Sequence, residues 1–224
     1  MKFFDLTHTI AEDMPVYPGT EKPTLFPANS YEKDGFRETK LCMFSHTGTH
    51  IDPPAHLFPE KETLEEFPVS QFIGRALVVD CSAFNEGEQI PLKHLLNYGE
   101  KINEVDFLLF RFGWDSKWGT CDYFGNYPCL SLDLLDYIIA GNYKGIGLDV
   151  ISLDPISDFS LTRHKRLFAN KKMINIENLC NLHHFIDCVF MFSCFPIKVE
   201  NSDGAPCRAV GWFVGEHEGV DDGF

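Results

Sequence analysis

Three short apolar runs, two of them separated by a helix signal, set what this chain can fold into. Arg75-Ala76-Leu77-Val78-Val79-Asp80, the stretch 104–111 and the stretch 145–150 are each nearly continuous in apolar residues, too short for helices and bounded by charged residues or glycine. That is the pattern of strands buried on both faces. Between the second and third, Ser131 reads as a helix N-cap, Leu132, Leu135, Ile138 and Ile139 recur at helical spacing, and Gly141 ends the run. Strand, helix and strand in that order form a crossover unit, so the class is α/β with a mixed sheet. Residues 92–98 and 161–168 read as further helices and 173–176 as a strand. Residues 185–199 read as a long strand with Pro196 at its end or at a bulge, and Asp203-Gly204-Ala205-Pro206 as a turn. With 224 residues and no repeat, low-complexity tract or linker, residues 1–224 are expected to form one domain.

Composition excludes some partners. A formal net charge of −14 repels nucleic acid and anionic lipid, and the one basic cluster, Arg163-His164-Lys165-Arg166 with Lys171-Lys172, is short and reads as a solvated helix face. No apolar stretch approaches membrane-spanning length. The eight cysteines form no C-x-x-C pair, most lie in apolar runs, and the N-terminus reaches Asp5 without a signal-peptide pattern. They read as reduced, mostly buried thiols of a cytoplasmic protein. G-x-S-x-G, P-loop and G-x-G-x-x-G motifs are absent, which argues against a serine nucleophile, ATP or NAD.

The chemistry concentrates in residues 45–56. His46, His50, Asp52 and His56 fall within eleven residues, and imidazoles with a carboxylate suit Zn²⁺, Mn²⁺ or Fe²⁺. Gly48 between two threonines, followed by Asp52-Pro53-Pro54, opposes a helix through the segment. On a strand, positions 46, 50 and 52 share a face. Residues 46 and 50 of a straight strand lie about 13 Å apart, too far for one ion, so metal binding requires a bend, and Gly48 can supply it. His56, beyond the two prolines, suits an acid/base role better than that of a fourth ligand.

Residues 46–56 match a motif of the form H-x-G-T-H-x-D-x-P-x-H, and in this the chain resembles the cyclase family, which includes bacterial kynurenine formamidases and isatin hydrolases. The likeness extends to Asp5–Ile10, Met14–Gly19, Leu109–Trp114, Gly147–Asp154 and Asp203–Ala209; Thr20 and Phe112 depart from the family pattern. The resemblance implies a swivelling β/β/α fold and a homo-oligomer, dimer or tetramer. It implies a metal set of His46, His50 and Asp52, with Asp52 bridging to a second metal completed by His164 and Glu177, and one or two divalent ions per chain, Zn²⁺ first and Mn²⁺ second. His56 would be the general acid/base. The implied activity is hydrolysis of an amide bond in a small molecule: an aryl formamide of the N-formylkynurenine type, hence tryptophan catabolism, or a cyclic amide. A metal-binding protein without turnover is the reading from another class. Tyr17 and Trp114 are candidates for an aromatic-binding pocket. His8, His94, His183, His184 and His217 read as structural or surface residues.

Overall fold

The computed structural model describes residues 1–169 and 171–214; His217 lies outside them. In chain order the strands are β1 (Phe3–Asp5), β2 (Thr24–Asn29), β3 (Glu38–Cys42), β4 (His50–Asp52), β5 (Ile73–Asp80), β6 (Gln89–Ile90), β7 (Phe107–Arg111), β8 (Cys129–Leu130), β9 (Gly145–Leu148), β10 (Ile174–Glu177), β11 (Val189–Pro196) and β12 (Ala205–Trp212). The helices are α1 (Tyr31–Asp34), α2 (Leu92–Leu96), α3 (Leu132–Ala140) and α4 (Thr162–Ala169). Eight strands form one mixed sheet in the order β1-β12-β11-β5-β7-β9-β10-β4, and β12 also pairs with β4. That pairing closes seven strands into a barrel-like ring with β1 added on β12.

The apolar runs explain the layering. Along β5, Ala76 and Val78 join one core cluster and Leu77 and Val79 the other; along β7, Phe107 and Leu109 alternate with Leu108 and Phe110 in the same way. The cluster containing Phe107 draws on every ring strand except β9 and fills the ring; the other packs beneath α3 and α4. β9 faces the ring with Gly145 and Gly147, where a Cβ would press into Ile174 and Phe107 or into Leu179 and Leu109. β5, β7, β9 and β10 run parallel, with α3 crossing between β7 and β9 as the sequence implies. The Ser131 hydroxyl accepts from the Leu134 amide at the start of α3.

Several sequence boundaries are corrected. The strand expected from 104 starts at Phe107, because 99–104 form a 3₁₀ turn. The strand expected over 185–199 runs from 189 to 196: residues 182–185 form a 3₁₀ turn, and Asp187 at φ 61° breaks the extended run. Pro196 ends it. Ala205 and Pro206 open β12 rather than completing a turn, since proline is tolerated at the first positions of a strand. The basic cluster is not a solvated face throughout. Arg163 and His164 are buried, the Arg163 Nε donating to the Leu130 carbonyl, while Lys165 and Arg166 point outward. Five cysteines are buried, Cys42, Cys121 and Cys188 are exposed, and all eight are free thiols.

Candidate metal centre

Cross-strand register assembles the site. β4 and β10 are antiparallel, with His50 opposite Glu177, Ile51 opposite Ile176 and Asp52 opposite Asn175. The isoleucines point into the ring, so the four polar residues share the other face, where they meet α4. Gly48 bends the chain just before β4 with φ 65°, a conformation that costs an L side chain about 1–2 kcal/mol. The bend brings His46 back so that its Nδ1 lies 2.7 Å from Asp52 Oδ1, and the His50 Nε2 lies 3.1 Å from that oxygen. Gly204 makes room: a Cβ there would run into the His46 imidazole.

The imidazoles are aimed by their outer partners. The His50 Nδ1 donates to the Gly48 carbonyl at 2.9 Å, leaving Nε2 toward Asp52. The His164 Nδ1 bonds Asp154 Oδ2 at 2.8 Å, leaving Nε2 3.1 Å from Glu177 Oε1 and 3.5 Å from Asp52 Oδ2. A carboxylate behind a histidine is the usual outer-sphere arrangement of a metal-binding imidazole. Asp154 also accepts the amides of Arg163 and His164, fixing the first turn of α4 to the site. Asn178, at φ 56°, donates to the Gly48 carbonyl and accepts from the Tyr123 hydroxyl, which locks the bend.

Two donor triads result, sharing Asp52: His46, His50 and Asp52, and Asp52, His164 and Glu177. Both fit a divalent cation in donor type, each turning imidazole nitrogens and carboxylate oxygens toward a common point. Burial opposes the Asp52 carboxylate, but His50, His164 and His46 hold it well below its ordinary range. Burial also opposes the charged form of His46, yet Asp203 and Asp52 raise it to about 10, and Asp154, Asp52 and Glu177 raise His164 well above its ordinary value. This anionic field would equally favour a cation, whose binding displaces those protons.

His56 sits beside the first triad, its ring 4.1 Å from that of His46. Burial pushes its pKa down to about 4, so it is neutral at pH 7 with a lone pair to accept a proton. The triads open on a cavity of about 440 Å³ whose lining includes Tyr17, Phe44, His56, Phe159 and Asp203. The Tyr17 phenol is pushed above its ordinary value by burial and Glu177, so it is a donor at neutral pH. The residues expected to act thus converge, Trp114 excepted. Trp114 belongs to the core, its Nε1 donating to the Tyr123 carbonyl, and Phe44 and Phe159 are the aromatic walls beside Tyr17. Sequence reasoning misses the site roles of Asp154, Asp203, Asn175 and Asn178. An alternation of polar with apolar residues along Ile174-Asn175-Ile176-Glu177 is the available signal for Asn175.

Fold and site together define a mixed α/β protein with two histidine–carboxylate groups that could hold a divalent cation. A sequence model of the family described as "Putative cyclase" matches residues 4–155, and the chain belongs to that family. A kynurenine formamidase of Bacillus cereus is 31% identical over 211 residues, covering 93% of this chain and 96% of the relative. An isatin hydrolase A from Ralstonia solanacearum has the same fold, with a TM-score of 0.83 at 20% identity over 94% of this chain and 91% of that one. A "predicted metal-dependent hydrolase" from Bacillus stearothermophilus superposes with a TM-score of 0.76 at 25% identity over 94% and 97%. The chain is a hydrolytic enzyme of the cyclase family.

Proposed function

We propose that this protein hydrolyses the amide bond of a small aryl formamide, of the N-formylkynurenine type, with a divalent cation held by His46, His50 and Asp52. The observation that carries the reading is the convergence of both donor triads and His56 on one cavity with an aromatic rim. A formamide is planar and small, and its aryl portion would lie against Tyr17, Phe44 and Phe159. Zn²⁺ or Mn²⁺ bound there would polarise the scissile carbonyl and make the attacking water more acidic. His56, neutral and within the cavity, takes a proton from the attacking water and returns it to the leaving nitrogen. Tyr17 offers a phenolic donor to the substrate's polar edge. His164 and Glu177 supply the second triad, with room in this reading for one or two ions per chain. The protein acts in the cytoplasm as a homo-oligomer, its 224 residues one domain. Among the described residues no helix is long and apolar enough to cross a membrane.

The second reading, hydrolysis of a cyclic amide, draws on the isatin hydrolase fold likeness. A panel of aryl formamides, isatin-like cyclic amides and lactams, assayed with Zn²⁺- or Mn²⁺-loaded enzyme, decides between them. Turnover highest on aryl formamides supports the proposal. Turnover confined to cyclic amides replaces the substrate, and none anywhere favours a protein that binds metal without catalysis. His56→Ala should keep its metal and lose at least about 100-fold in kcat; unchanged kcat would remove His56 from the chemistry.

A further inference from the structure

The second triad contains a fourth group. Asn175 is fully buried, and its Nδ2 lies 2.9 Å from Asp52 Oδ2, 2.8 Å from Glu177 Oε1 and 3.4 Å from His164 Nε2. Those three atoms belong to the residues that would hold a second cation. The amide orientation follows from its neighbours: two carboxylate oxygens require a donor, and the NH₂ end supplies one hydrogen to each. The other end of the amide, Oδ1, is buried without a hydrogen-bond partner. A buried unpaired acceptor costs on the order of 1–3 kcal/mol. Retaining that cost implies that the NH₂ end is what the position uses.

Geometry sets the NH₂ group against a cation. A Zn²⁺-type ion bonds nitrogen and oxygen at about 2.0–2.2 Å, so an ion shared by these three donors sits near their plane. A nitrogen hydrogen-bonded to the same atoms at 2.8–3.4 Å competes with the ion for their lone pairs and, for an ion in the donor plane, comes to about 2 Å from it. At that separation only a lone-pair donor is tolerated. The amide nitrogen has none to give, its lone pair being delocalised into the carbonyl and both its hydrogens directed at the carboxylates.

We propose that Asn175 closes the second triad, its amide taking the position of a second cation between Asp52 and Glu177, so that the protein holds one divalent ion per chain, at His46, His50 and Asp52. The first triad is untouched, because Asn175 faces Asp52 Oδ2 whereas His46 and His50 face Oδ1. Asn175 therefore acts as a positioning residue: it holds Asp52 and Glu177 apart at fixed orientation. The backbone makes this possible, since Asn175 stands directly opposite Asp52 and two residues before Glu177 on the same face.

The inference rests on the metal-centre reading above, and metal counting separates the two. Full-length protein is stripped with chelator, reloaded by equilibrium dialysis against excess Mn²⁺ and assayed for metal per chain by plasma mass spectrometry. Electron paramagnetic resonance then distinguishes isolated from exchange-coupled Mn²⁺. The wild type should hold one ion per chain with an uncoupled six-line spectrum. Asn175→Ala, which vacates the space and leaves both carboxylates seeking a partner, should hold two with a coupled spectrum. Two ions per chain in the wild type overturn the role of Asn175, and so does a folded, metal-loaded Asn175→Ala that stops at one. No ion in either protein overturns the metal reading itself. If Asn175→Ala does not fold, the wild-type count and spectrum alone decide.

Discussion

Replacing Gly48 by alanine isolates the cost of the bend on which the first triad depends. A Cβ at this position would meet Ile10 Cγ1 and Met14 Cε at 3.4 Å, ordinary van der Waals contact, so no steric clash contributes. What remains is the backbone at φ 65°, about 1–2 kcal/mol for an L residue. The chain could escape that strain by leaving the left-handed region. Doing so would turn away the Gly48 carbonyl and break its bonds from His50 Nδ1 and Asn178 Nδ2, both at buried groups. Each such bond contributes about 0.5–1.5 kcal/mol, and leaving its buried donor unpaired costs about 1–3 kcal/mol more. Retaining the strain is therefore cheaper than relaxing it. The expected result is a stability loss of about 1–2 kcal/mol, or roughly 2–8 °C in Tm for a chain of this size, with Zn²⁺ affinity unchanged. Gly48→Asn, whose residue type tolerates this conformation, should lose clearly less. Thermal unfolding and competition with a chromogenic chelator read the two quantities. A Gly48→Ala protein as stable as the wild type would refute the strain argument. One that loses metal affinity along with stability would show that the backbone relaxes instead.

Two further outcomes test the wider reading. His8 stacks on Trp118 at 3.8 Å and 5°, and burial lowers its pKa to about 4 against the opposing pull of Asp115. Because the folded protein binds that proton less readily than the unfolded chain, this contribution is fully present above about pH 6.5 and is lost as pH falls toward 4. It amounts to no more than about 3 kcal/mol. His8→Phe, which keeps the stacked ring, should flatten the acid side of a urea-unfolding pH profile, and an unchanged slope between pH 6.5 and 4 counts against the assignment. Trp114→Phe should lose about 1 kcal/mol through the broken bond to the Tyr123 carbonyl yet leave KM unchanged, whereas Tyr17→Ala should raise KM several-fold; the reverse pattern would move Trp114 back to the substrate.

What could be read in the sequence was what periodicity and local spacing encode. β5, β7, β9, α3 and α4 announce themselves because a parallel strand buried on both faces and an amphipathic helix are local patterns. The motif from His46 to His56 is equally local, and Gly48 as its bend follows from distance alone. Ring closure was not legible, since Ala205–Trp212 mixes proline, glycine and arginine and, besides its neighbour β11, finds its partners β4 and β1 far along the chain. Asp154 behind His164, and Asn175 across from Asp52, exist as neighbours only in the folded register. The fate of Trp114 likewise depended on which way a loop turned after β7. Local signals name ligands; cross-strand neighbours decide what those ligands can hold.

The closing strand gives the site a place in time. β4 lies between β10 and β12, and among the described residues the sole ladder of β1 is with β12. A ribosome must therefore release the chain through β12 before β1 acquires its ladder and β4 its second neighbour. Until then the segment around His46 can offer a cation a few loosely held side chains but not a fixed pocket. A chain cut short before β12 lacks the second neighbour of β4, so a fully formed metal pocket becomes a sign that synthesis has run through β12.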